Sequence, residues 1–458
     1  MGIDVGTTGC KALVFDSHGQ RLSSAYREYP ILSPQPGWAE LDSARVMDAC
    51  LDVIREAAAG AAHDPVRAIG ISSQGEAFTP VGADGSYLYN GMVSSDTRAA
   101  QIATTWSEAF GREKLYRITG HTSHPLFTIF KLIWLRENMP AVWEKAAKFY
   151  CFEELLQSRL GVEPAISWPL AGRTMLFNVV SHEWDADILS NIGLDAARLA
   201  RPLASGSIVG TIPSSIAADL GLKGDVAVVT GGHDQPAGAF GVGAVSPGQA
   251  MYAMGTVECI CPAFAKPAFS DELFRSNLCI YDHVAKDTFT SVAYSLTGGN
   301  LLKWFRDEWA SAERAEAAKT GVDVYDLILK GIPDKPTDLL VLPYFTPSGT
   351  PYFSIDVPGA ILGLRLSTTR GEVLRGLIEG VCLEMRLNID LLDRSGLKIT
   401  EFRAAGGGSR SRVMNQLKAD VLNRPLVTVN EPEAGCLGMA MLAYATIEKA
   451  DVRQLSAT

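Results

Sequence analysis

Three glycine-containing turns of this chain carry residues that could take part in phosphoryl transfer. Asp4 precedes a Gly-Thr-Thr-Gly turn at residues 6–9, Asp234 follows two glycines at residues 231–232, and a Gly-Thr turn occupies residues 255–256. The reaction needs an oriented hydroxyl, a metal ion on the phosphates and stabilised charge, with little covalent chemistry. A carboxylate can orient a hydroxyl and take its proton, and such turns can cradle phosphate through backbone N–H groups and threonine hydroxyls.

Each of these residues also has a purely structural interpretation. Asp4 could form an Asx turn, and residues 255–256 could be an ordinary tight turn. Asp234 could cap the helix expected from Pro236 onwards, although capping and catalysis do not exclude each other. The strands and helices around these residues therefore help to decide between a structural role and a catalytic one.

Strand-like and helix-like patterns alternate along the chain, which favours an α/β architecture. A β-hairpin is predicted over residues 1–16, because two apolar runs flank the first turn. Further strands, each running into polar or glycine-rich residues, are predicted at residues 66–71, 226–230, 250–254 and 402–405. Helices are predicted from apolar residues at helical spacing over residues 45–62, 301–309, 370–392, 412–422 and 438–449, and over most of residues 97–138 with a break near residues 121–125.

Length and composition are those of a globular protein with two domains, or three. The chain has 458 residues, of which 47% are apolar and 20% charged, and such a chain can bury a large core. Its net charge of −10 argues against a nucleic-acid-binding surface, which needs clustered Lys and Arg. No apolar run approaches the ~20 residues of a membrane span, and the first residues lack a signal-peptide pattern. We therefore expect a cytoplasmic protein with neither a nucleic-acid nor a membrane partner.

Eight cysteines are scattered from Cys10 to Cys436. The nearest pair, Cys259 and Cys261, has no second pair at zinc-finger spacing. We therefore expect buried or idle thiols in a reducing cytosol.

Five segments together resemble the FGGY carbohydrate kinases, the family of glycerol kinase and xylulokinase within the actin and hexokinase superfamily. Residues 2–11 are similar to that family's first phosphate loop, residues 231–235 to its catalytic loop and residues 254–256 to its second phosphate loop. Residues 406–411 are similar to its adenosine motif, and residues 433–438 to its last glycine-containing segment. Each segment alone is a weak signal, since glycine-rich loops are common. All five occur in the family's order and span nearly the whole chain.

The resemblance implies an α/β fold of two RNase H-like domains on either side of a central active-site cleft. Residues 1–244 would form the sugar-binding and catalytic domain, and residues 245–458 the nucleotide-binding domain. A hinge is expected near residues 242–248, where Gly, Ser and Pro cluster. The resemblance also implies ATP and Mg²⁺ as cofactors, a small-molecule sugar or polyol as substrate and, by analogy, a homodimer.

Individual residues receive roles from the same resemblance. Asp234 would be the general base, and Asp4 would hold Mg²⁺ through water, with Asp234 also at the metal. The residues implied to contact ATP are Thr7, Thr8, Gly255, Thr256, Gly299, Gly406, Gly407 and Ser411. Those implied to contact the sugar or polyol are Gln74, Gly75, Glu76, Asp234 and Gln235.

The substrate segment departs from two familiar patterns of the family. Residues 74–76 read Gln-Gly-Glu, where glycerol kinases have Gln-Arg-Glu and xylulokinases have Gln-Met-His. Glu76 keeps a hydroxyl acceptor and Gly75 removes a bulky neighbour, which predicts a larger pocket than glycerol needs. The alternative is that Glu76 lies exposed on a loop.

Other positions also suggest a reshaped pocket. Residues 96–98 resemble an Asp-x-Arg segment of the family, but two serines replace the preceding Trp-Gln, so an aromatic wall is expected to be missing. Leu126 stands where glycerol kinases have a polyol-binding Tyr. His121 and His124 could face the sugar, although single histidines are more often structural. No role is assigned to Arg173.

The predicted function is ATP-dependent phosphorylation of a ketopentose, with xylulose as the leading candidate, or of a four- to six-carbon polyol. The nearest alternatives are other substrates of the same class, such as glycerol, erythritol, ribulose or gluconate. An actin-fold ATPase without a sugar substrate is the alternative from a different class. Glu76 and the pair Asp234 and Gln235 favour a sugar over that ATPase.

Overall fold

Two mixed β-sheets, one in each half of the chain, form the framework of the molecule. The computed structural model describes residues 1–267, 269–354, 356–451 and 455. The strands of the first half are β1 (Gly2–Val5), β2 (Gly9–Phe15), β3 (Arg21–Glu28), β4 (Glu40–Leu41), β5 (Ala68–Ser73), β6 (Thr79–Gly82), β7 (Gly91–Met92), β8 (Ala146–Tyr150), β9 (Ala165–Ser167), β10 (Phe177–Asn178), β11 (Glu183–Trp184), β12 (Arg201–Leu203), β13 (Ile208–Thr211) and β14 (Ala227–His233). The strands of the second half are β15 (Gln249–Met254), β16 (Glu258–Phe264), β17 (Tyr281–Asp282), β18 (Phe289–Thr290), β19 (Ala293–Ser295), β20 (Leu340–Leu342), β21 (Ala360–Leu362), β22 (Glu401–Ala405) and β23 (Leu426–Thr428).

Helices cover these sheets and connect their strands. Those of the first half are α1 (Ser43–Gly60), α2 (Ala100–Phe110), α3 (Arg112–Thr119), α4 (Thr128–Asn138), α5 (Pro140–Lys145), α6 (Phe152–Arg159), α7 (Trp168–Gly172), α8 (Ala186–Ile192), α9 (Ser214–Asp219) and α10 (Asp234–Gly241). Those of the second half are α11 (Asp271–Arg275), α12 (Gly299–Trp309), α13 (Ser311–Thr320), α14 (Val324–Leu329), α15 (Arg370–Arg394), α16 (Arg412–Leu422) and α17 (Ala434–Glu448). Short 3₁₀ turns occupy Ala196–Arg198 and Gly407–Arg410.

The two sheets share one topology. In the first, the strand order is β13-β14-β5-β1-β2-β3, with β1 antiparallel to β2 and both β1 and β14 parallel to β5. In the second, the order is β17-β18-β16-β15-β22-β23, with β15 antiparallel to β16 and parallel to β22. The five-stranded runs β3-β2-β1-β5-β14 and β18-β16-β15-β22-β23 therefore correspond strand by strand. In each run, the first two pairings are antiparallel and the last two are parallel. This confirms the predicted α/β fold of two RNase H-like domains.

The first sheet forms because its central strand can be buried on both faces. All residues of β5 are buried, as expected for a parallel strand covered on both sides. α1 packs against β2 and β3 and buries apolar side chains at helical spacing, such as Val46, Val53 and Ile54. Its start is fixed by Asp42 Oδ1, which accepts a hydrogen bond from the backbone N–H of Ala44 at 3.0 Å.

The last helix belongs to the second half by sequence but packs on the first half. α17 contacts β1, β5 and α10, and glycines allow this close approach. A Cβ atom on Gly438 would clash with the carbonyl oxygen of Ala237 and lie 2.9 Å from the backbone nitrogen of Gly241. A Cβ atom on Gly2 would clash with the carbonyl group of Cys436. The two halves of the sequence are therefore interleaved at this helix.

Several predicted elements exist with different bounds. The last helix begins at Ala434 rather than at residue 438, and the strand predicted over residues 226–230 continues through His233. The pairing of β14 with β5 changes register between Val229 and Gly232, so an irregularity carries the strand further than its apolar run. His233 therefore occupies the cap position of α10, and the interpretation of Asp234 as the N-cap is wrong.

All eight cysteines are free and buried, which confirms the expectation of buried thiols. In the described part of the chain, no helix is both long enough and apolar enough to cross a membrane.

We expect Gly438→Ala to lower the free energy of unfolding by about 1–3 kcal/mol, the usual cost of an extra methyl group in a packed interior. The atoms that this methyl group would meet belong to the backbone and cannot rotate away. Thermal or urea unfolding measures the loss. Gly331→Ala is the matched control, because its Cβ position has one neighbouring atom, at 3.5 Å. Equal losses in the two variants would contradict the packing of α17.

Candidate active site

The carboxyl ends of three parallel strands meet at one edge of the first sheet. The strands lie side by side in the order β14-β5-β1. Asp4 of β1, residues 74–76 after β5 and Asp234 after β14 therefore come together at that edge. Open α/β sheets bind their ligands at such an edge.

Asp4 lies within electrostatic reach of Asp234. Burial raises the pKa of Asp4 to about 6, and the negative charge of Asp234 adds to this rise, while Ser72 and Lys11 oppose it. Ser72 Oγ donates a hydrogen bond to Asp4 Oδ1 at 2.9 Å. The two carboxylates repel each other, and a bound cation would relieve that repulsion.

Asp234 opens α10 and has basic groups around it. His233 Nε2 lies 3.0 Å from Asp234 Oδ1, and His233 Nδ1 lies 2.9 Å from the hydroxyl of Tyr281. Burial raises the pKa of Asp234, but His233, Arg173 and the backbone N–H of Gln235 outweigh that effect and lower the pKa below its usual value. Asp234 Oδ1 is buried and has no aligned hydrogen bond to any described residue. The lowered pKa keeps the carboxylate ionised. The Asp234 side chain is 36% exposed, so its outer oxygen is open to a ligand.

Glu76 is buried rather than exposed, and Arg173 neutralises it. Arg173 Nε and Nη2 both contact Glu76 Oε1. The guanidinium carbon lies 4.9 Å from the centre of the Phe127 ring and 5.6 Å from that of Tyr281. Glu76 has a φ of 65°, a conformation that is uncommon for a residue with a Cβ atom and tends to mark functional sites. The exposed-loop alternative for Glu76 is wrong.

Gly75 makes room for the two basic side chains of the site. A Cβ atom on Gly75 would lie 2.9 Å from His233 Cδ2 and 3.3 Å from Arg173 Cγ. The space beside this glycine is therefore filled, which corrects the expectation that Gly75 simply enlarges the pocket. Sequence reasoning missed Arg173, because nothing in its local pattern distinguishes it from an exposed arginine. A buried Glu76 requires a cation, but only the folded chain shows which residue supplies it.

The two glutamines predicted to bind substrate differ in their surroundings. Thr7 Oγ1 donates to Gln74 Oε1 at 3.1 Å, and Gln74 Nε2 donates to the carbonyl oxygen of Gly6 at 3.1 Å. Gln74 thus joins the end of β5 to the turn after β1. Gln235 Oε1 is buried without a hydrogen-bond partner among the described residues, so it can accept from a ligand.

Segments predicted to bind nucleotide come together in the second half. Gly255 and Thr256 lie in the loop between β15 and β16, and the backbone N–H of Gly299 donates to the carbonyl oxygen of Gly255 at 3.0 Å. Gly406, with a φ of 83°, lies so close to β15 that a Cβ atom would be 2.7 Å from the carbonyl oxygen of Met254. These predicted positions therefore meet at the carboxyl ends of β15 and β22.

The other predicted nucleotide contacts are less uniform. No described atom outside its own chain neighbours lies within 4 Å of a Cβ position on Gly407, so this glycine has an open side. Ser411 Oγ accepts from the backbone N–H of Met414 at 3.3 Å and caps α16. In the turn between β1 and β2, Thr8 is exposed and Thr7 is half-buried.

His121 packs against the same two aromatic rings as Arg173. Its ring centre is 4.9 Å from that of Phe127 and 5.2 Å from that of Tyr281, the two rings that flank Arg173. Burial holds the pKa of His121 well below its usual value, so the ring is neutral. Its Nδ1 lies 2.7 Å from the carbonyl oxygen of Thr119, which leaves Nε2 as an acceptor. That Nε2 is buried and has no hydrogen-bond partner among the described residues.

The side chains of Asp96 and Arg98 form a buried structural cluster with that of Glu40. Arg98 contacts the carboxylates of Asp96 and Glu40 at 2.6 Å each, and its guanidinium carbon lies 3.7 Å from the centre of the Trp38 ring and 4.8 Å from that of Trp134. These charged side chains are at most 1% exposed. Aromatic rings therefore surround Arg98, although serines precede the segment. The expectation that the substrate pocket lacks an aromatic wall stays a prediction.

Asp4 and Asp234 suit a Mg²⁺ ion. In phosphoryl-transfer sites this ion uses one or two carboxylates, several waters and the substrate phosphates rather than a full protein cage. Within the described ranges, no group of three or more His, Cys, Asp or Glu side chains gathers as a metal site. The partly exposed, ionised carboxylate of Asp234 and the mutual repulsion of the two carboxylates support this partial site.

Comparison with known proteins identifies the family. Residues 1–241 match the sequence model of the N-terminal domain of the FGGY family of carbohydrate kinases, and residues 250–447 match that of its C-terminal domain. The chain belongs to the FGGY family of carbohydrate kinases. It is therefore an ATP-dependent carbohydrate kinase.

Individual FGGY kinases resemble the chain over nearly its whole length. It is 25% identical over 445 residues to the xylulose kinase of Bacillus subtilis strain 168 and 26% identical over 452 residues to the gluconokinase of that strain. Both alignments cover 97% of this chain and 87% of the other protein. The crystal structure of a xyloylose kinase from Brucella ovis matches with a TM-score of 0.88 and 26% identity, over 99% of this chain and 92% of that one.

We expect Arg173→Met to lower both stability and activity, because it leaves the buried Glu76 without its cation. Breaking one side of a buried ion pair typically costs about 3–5 kcal/mol, which urea unfolding can measure. In a coupled assay, kcat/KM for the sugar should fall by at least about tenfold, since Glu76 and Asp234 both lose a positioning charge.

The double substitution of Glu76→Gln with Arg173→Met is the control for this prediction. It removes both charges, so stability should recover while activity stays low. A single variant as stable as the wild type would contradict the assignment of Arg173 as the partner of Glu76.

Proposed function

We propose that the enzyme transfers the γ-phosphoryl group of ATP to a hydroxyl of a sugar or polyol, with the ketopentose xylulose as the leading candidate. One observation carries this proposal: the partly exposed carboxylate of Asp234 lies near the Glu76–Arg173 pair. Both are at the edge of the first sheet where β1, with Asp4, also ends. A proton acceptor, a hydroxyl acceptor and a carboxylate for a metal ion are thus available at one edge.

In this proposal, Asp234 is the general base. Its lowered pKa keeps it ionised near neutral pH, because His233 and Arg173 outweigh the effect of its burial. The substrate oxygen bonds to the γ-phosphorus while the bond from that phosphorus to the β–γ bridging oxygen breaks. ADP leaves and the hydroxyl proton passes to Asp234. A positioned proton acceptor of this kind typically contributes about 10²–10⁴ in rate.

ATP would be held by the turns on both sides of the cleft. We assign the backbone N–H groups and hydroxyls of residues 7–8 and 255–256 to the phosphates, and Gly406 and Gly407 to the adenosine. Mg²⁺, held by Asp4 with Asp234 close by, would neutralise charge on the phosphates. Ser411 would act by capping α16, which carries the adenosine segment.

The sugar side of the site consists largely of hydrogen-bond acceptors. We assign Glu76 to one or two substrate hydroxyls and Arg173 to holding its carboxylate. His121 Nε2 and Gln235 Oε1 are further buried acceptors that lack partners among the described residues. A polyhydroxylated substrate supplies the donors that these atoms need, whereas an ATPase without a sugar would leave them unpaired at a cost. This favours the carbohydrate kinase over the sugar-free ATPase.

We also propose that the domain boundary lies at residues 244–245 and that residues 242–248 act as the hinge. This segment joins the end of α10 to the start of β15. Closure about it would exclude water from the phosphoryl group. Because α17 packs on the first sheet, we expect that helix to move with the first domain.

A coupled assay of ADP release over a panel of ketopentoses, aldoses, polyols and sugar acids tests the function. We expect one or a few strongly preferred compounds, with xylulose tested first, because sites built to bind hydroxyls can reject analogues that lack them by about 10⁴–10⁵. Asp234→Asn should lower kcat by about 10²–10⁴. ATP turnover that is independent of every sugar would favour the ATPase, and turnover of glycerol alone would contradict the pocket assignment.

A second kinetic prediction concerns His121. We expect His121→Leu to raise KM for the sugar roughly 3- to 10-fold, the value of one hydrogen bond, and to leave KM for ATP unchanged. His121→Gln, whose amide oxygen can replace the lost acceptor, should lose less. A deoxy analogue that lacks the matching hydroxyl should be insensitive to the substitution. An unchanged KM for the sugar in His121→Leu would exclude His121 from the pocket.

A further inference from the structure

A buried charged pair lies behind the nucleotide-side turn and has no part in the chemistry described above. Lys418 Nζ lies 2.6 and 2.7 Å from the two carboxylate oxygens of Glu258, and the hydroxyl of Tyr252 also donates to Glu258 Oε2. The side chains of Lys418 and Glu258 are 0% and 5% exposed. A pair this deep costs much to desolvate and is weak evidence for added stability, so another role is worth seeking.

Glu258 stands at the base of the turn at residues 255–257. It pairs with Met254 as the last pair of the β15–β16 hairpin. Gly298, just before α12, is so close that a Cβ atom would lie 2.9 Å from Glu258 Cγ. A shift of Glu258 would therefore displace both the turn and the start of α12.

Lys418 reaches Glu258 from the adenosine side of the site. It lies in α16, which begins at Arg412, shortly after the glycine segment at residues 406–408. The glycine segment packs on Met254, the residue paired with Glu258 in the hairpin. A Cβ atom on Gly408 would lie 2.9 Å from Met254 Cβ. The hairpin is thus held at both ends of its last pair, by the glycine segment on Met254 and by Lys418 on Glu258.

We propose that the Lys418–Glu258 pair positions the nucleotide, by fixing the turn at residues 255–256 relative to the adenosine-binding glycines at residues 406–407. This inference rests on the nucleotide site proposed above. Both side chains are buried behind the turn, so we assign them as positioning residues rather than ligands of ATP. Holding the two segments in register before ATP arrives reduces the ordering cost of binding.

The test uses Glu258→Gln with Lys418→Met, which removes both charges and nearly preserves the side-chain volumes. Magnesium-ADP binding to the full-length enzyme without sugar is measured by calorimetry, beside thermal unfolding and steady-state kinetics. We expect the dissociation constant and KM for ATP to rise about tenfold, equivalent to ~1.4 kcal/mol, while KM for the sugar stays unchanged. Lys418→Met alone should lower the melting temperature more than the double variant, because it leaves Glu258 unpaired.

Arg375→Met with Glu379→Gln is the matched control, since this pair joins residues four apart on α15 and is also largely buried. It should change the melting temperature without changing ADP affinity. Tyr252→Phe removes one hydrogen bond to Glu258 and should weaken ADP binding by a smaller factor, which keeps the inference testable if the double variant does not fold. Wild-type ADP affinity in the Glu258, Lys418 and Tyr252 variants would overturn the positioning role. A wild-type enzyme that binds no ADP would instead overturn the proposed nucleotide site.

Discussion

Two acidic side chains held near each other at the ends of parallel strands impose the main constraint on this molecule. Burial and the charge of Asp234 raise the pKa of Asp4 to about 6, while His233 and Arg173 outweigh burial and lower the pKa of Asp234. The surrounding groups therefore shift the pKa values of two similar carboxylates in opposite directions. In the mechanism that we propose, Asp4 would share a cation and Asp234 would act as the ionised base, a division of roles by environment.

The basic side chains that produce this difference also shape the predicted sugar side of the site. Arg173 forms an ion pair with Glu76, and its charge lowers the pKa of Asp234. His233 lies beside Asp234. Both basic side chains occupy the space that a side chain at Gly75 would need. Two acid–base pairs thus meet at one glycine, so we expect a change at any of these positions to affect catalysis and substrate binding together.

Much of the fold could be predicted from local patterns and family resemblance. The opening hairpin, α16 and the glycine turns at residues 6–9 and 255–256 were located correctly, since apolar periodicity and turn residues are local signals. Gly231 and Gly232 lie within β14 rather than in a turn. The sequence could not show that Arg173 neutralises Glu76 or that Lys418 pairs with Glu258, because ion pairs between distant residues depend on packing. It also misplaced the cap of α10, since the irregular pairing of β14 with β5 extends the strand through His233. The roles of Asp4, Asp234 and the substrate residues stay predictions.

The most direct test of the central claim is a crystal structure with the preferred sugar, Mg²⁺ and a non-hydrolysable ATP analogue. We predict that the reactive hydroxyl lies about 2.6–3.2 Å from the Asp234 carboxylate, with the metal ion on the side of Asp4 and the γ-phosphate between them. A sugar whose hydroxyls all lie beyond reach of Asp234, or a γ-phosphate remote from both carboxylates, would contradict the claim.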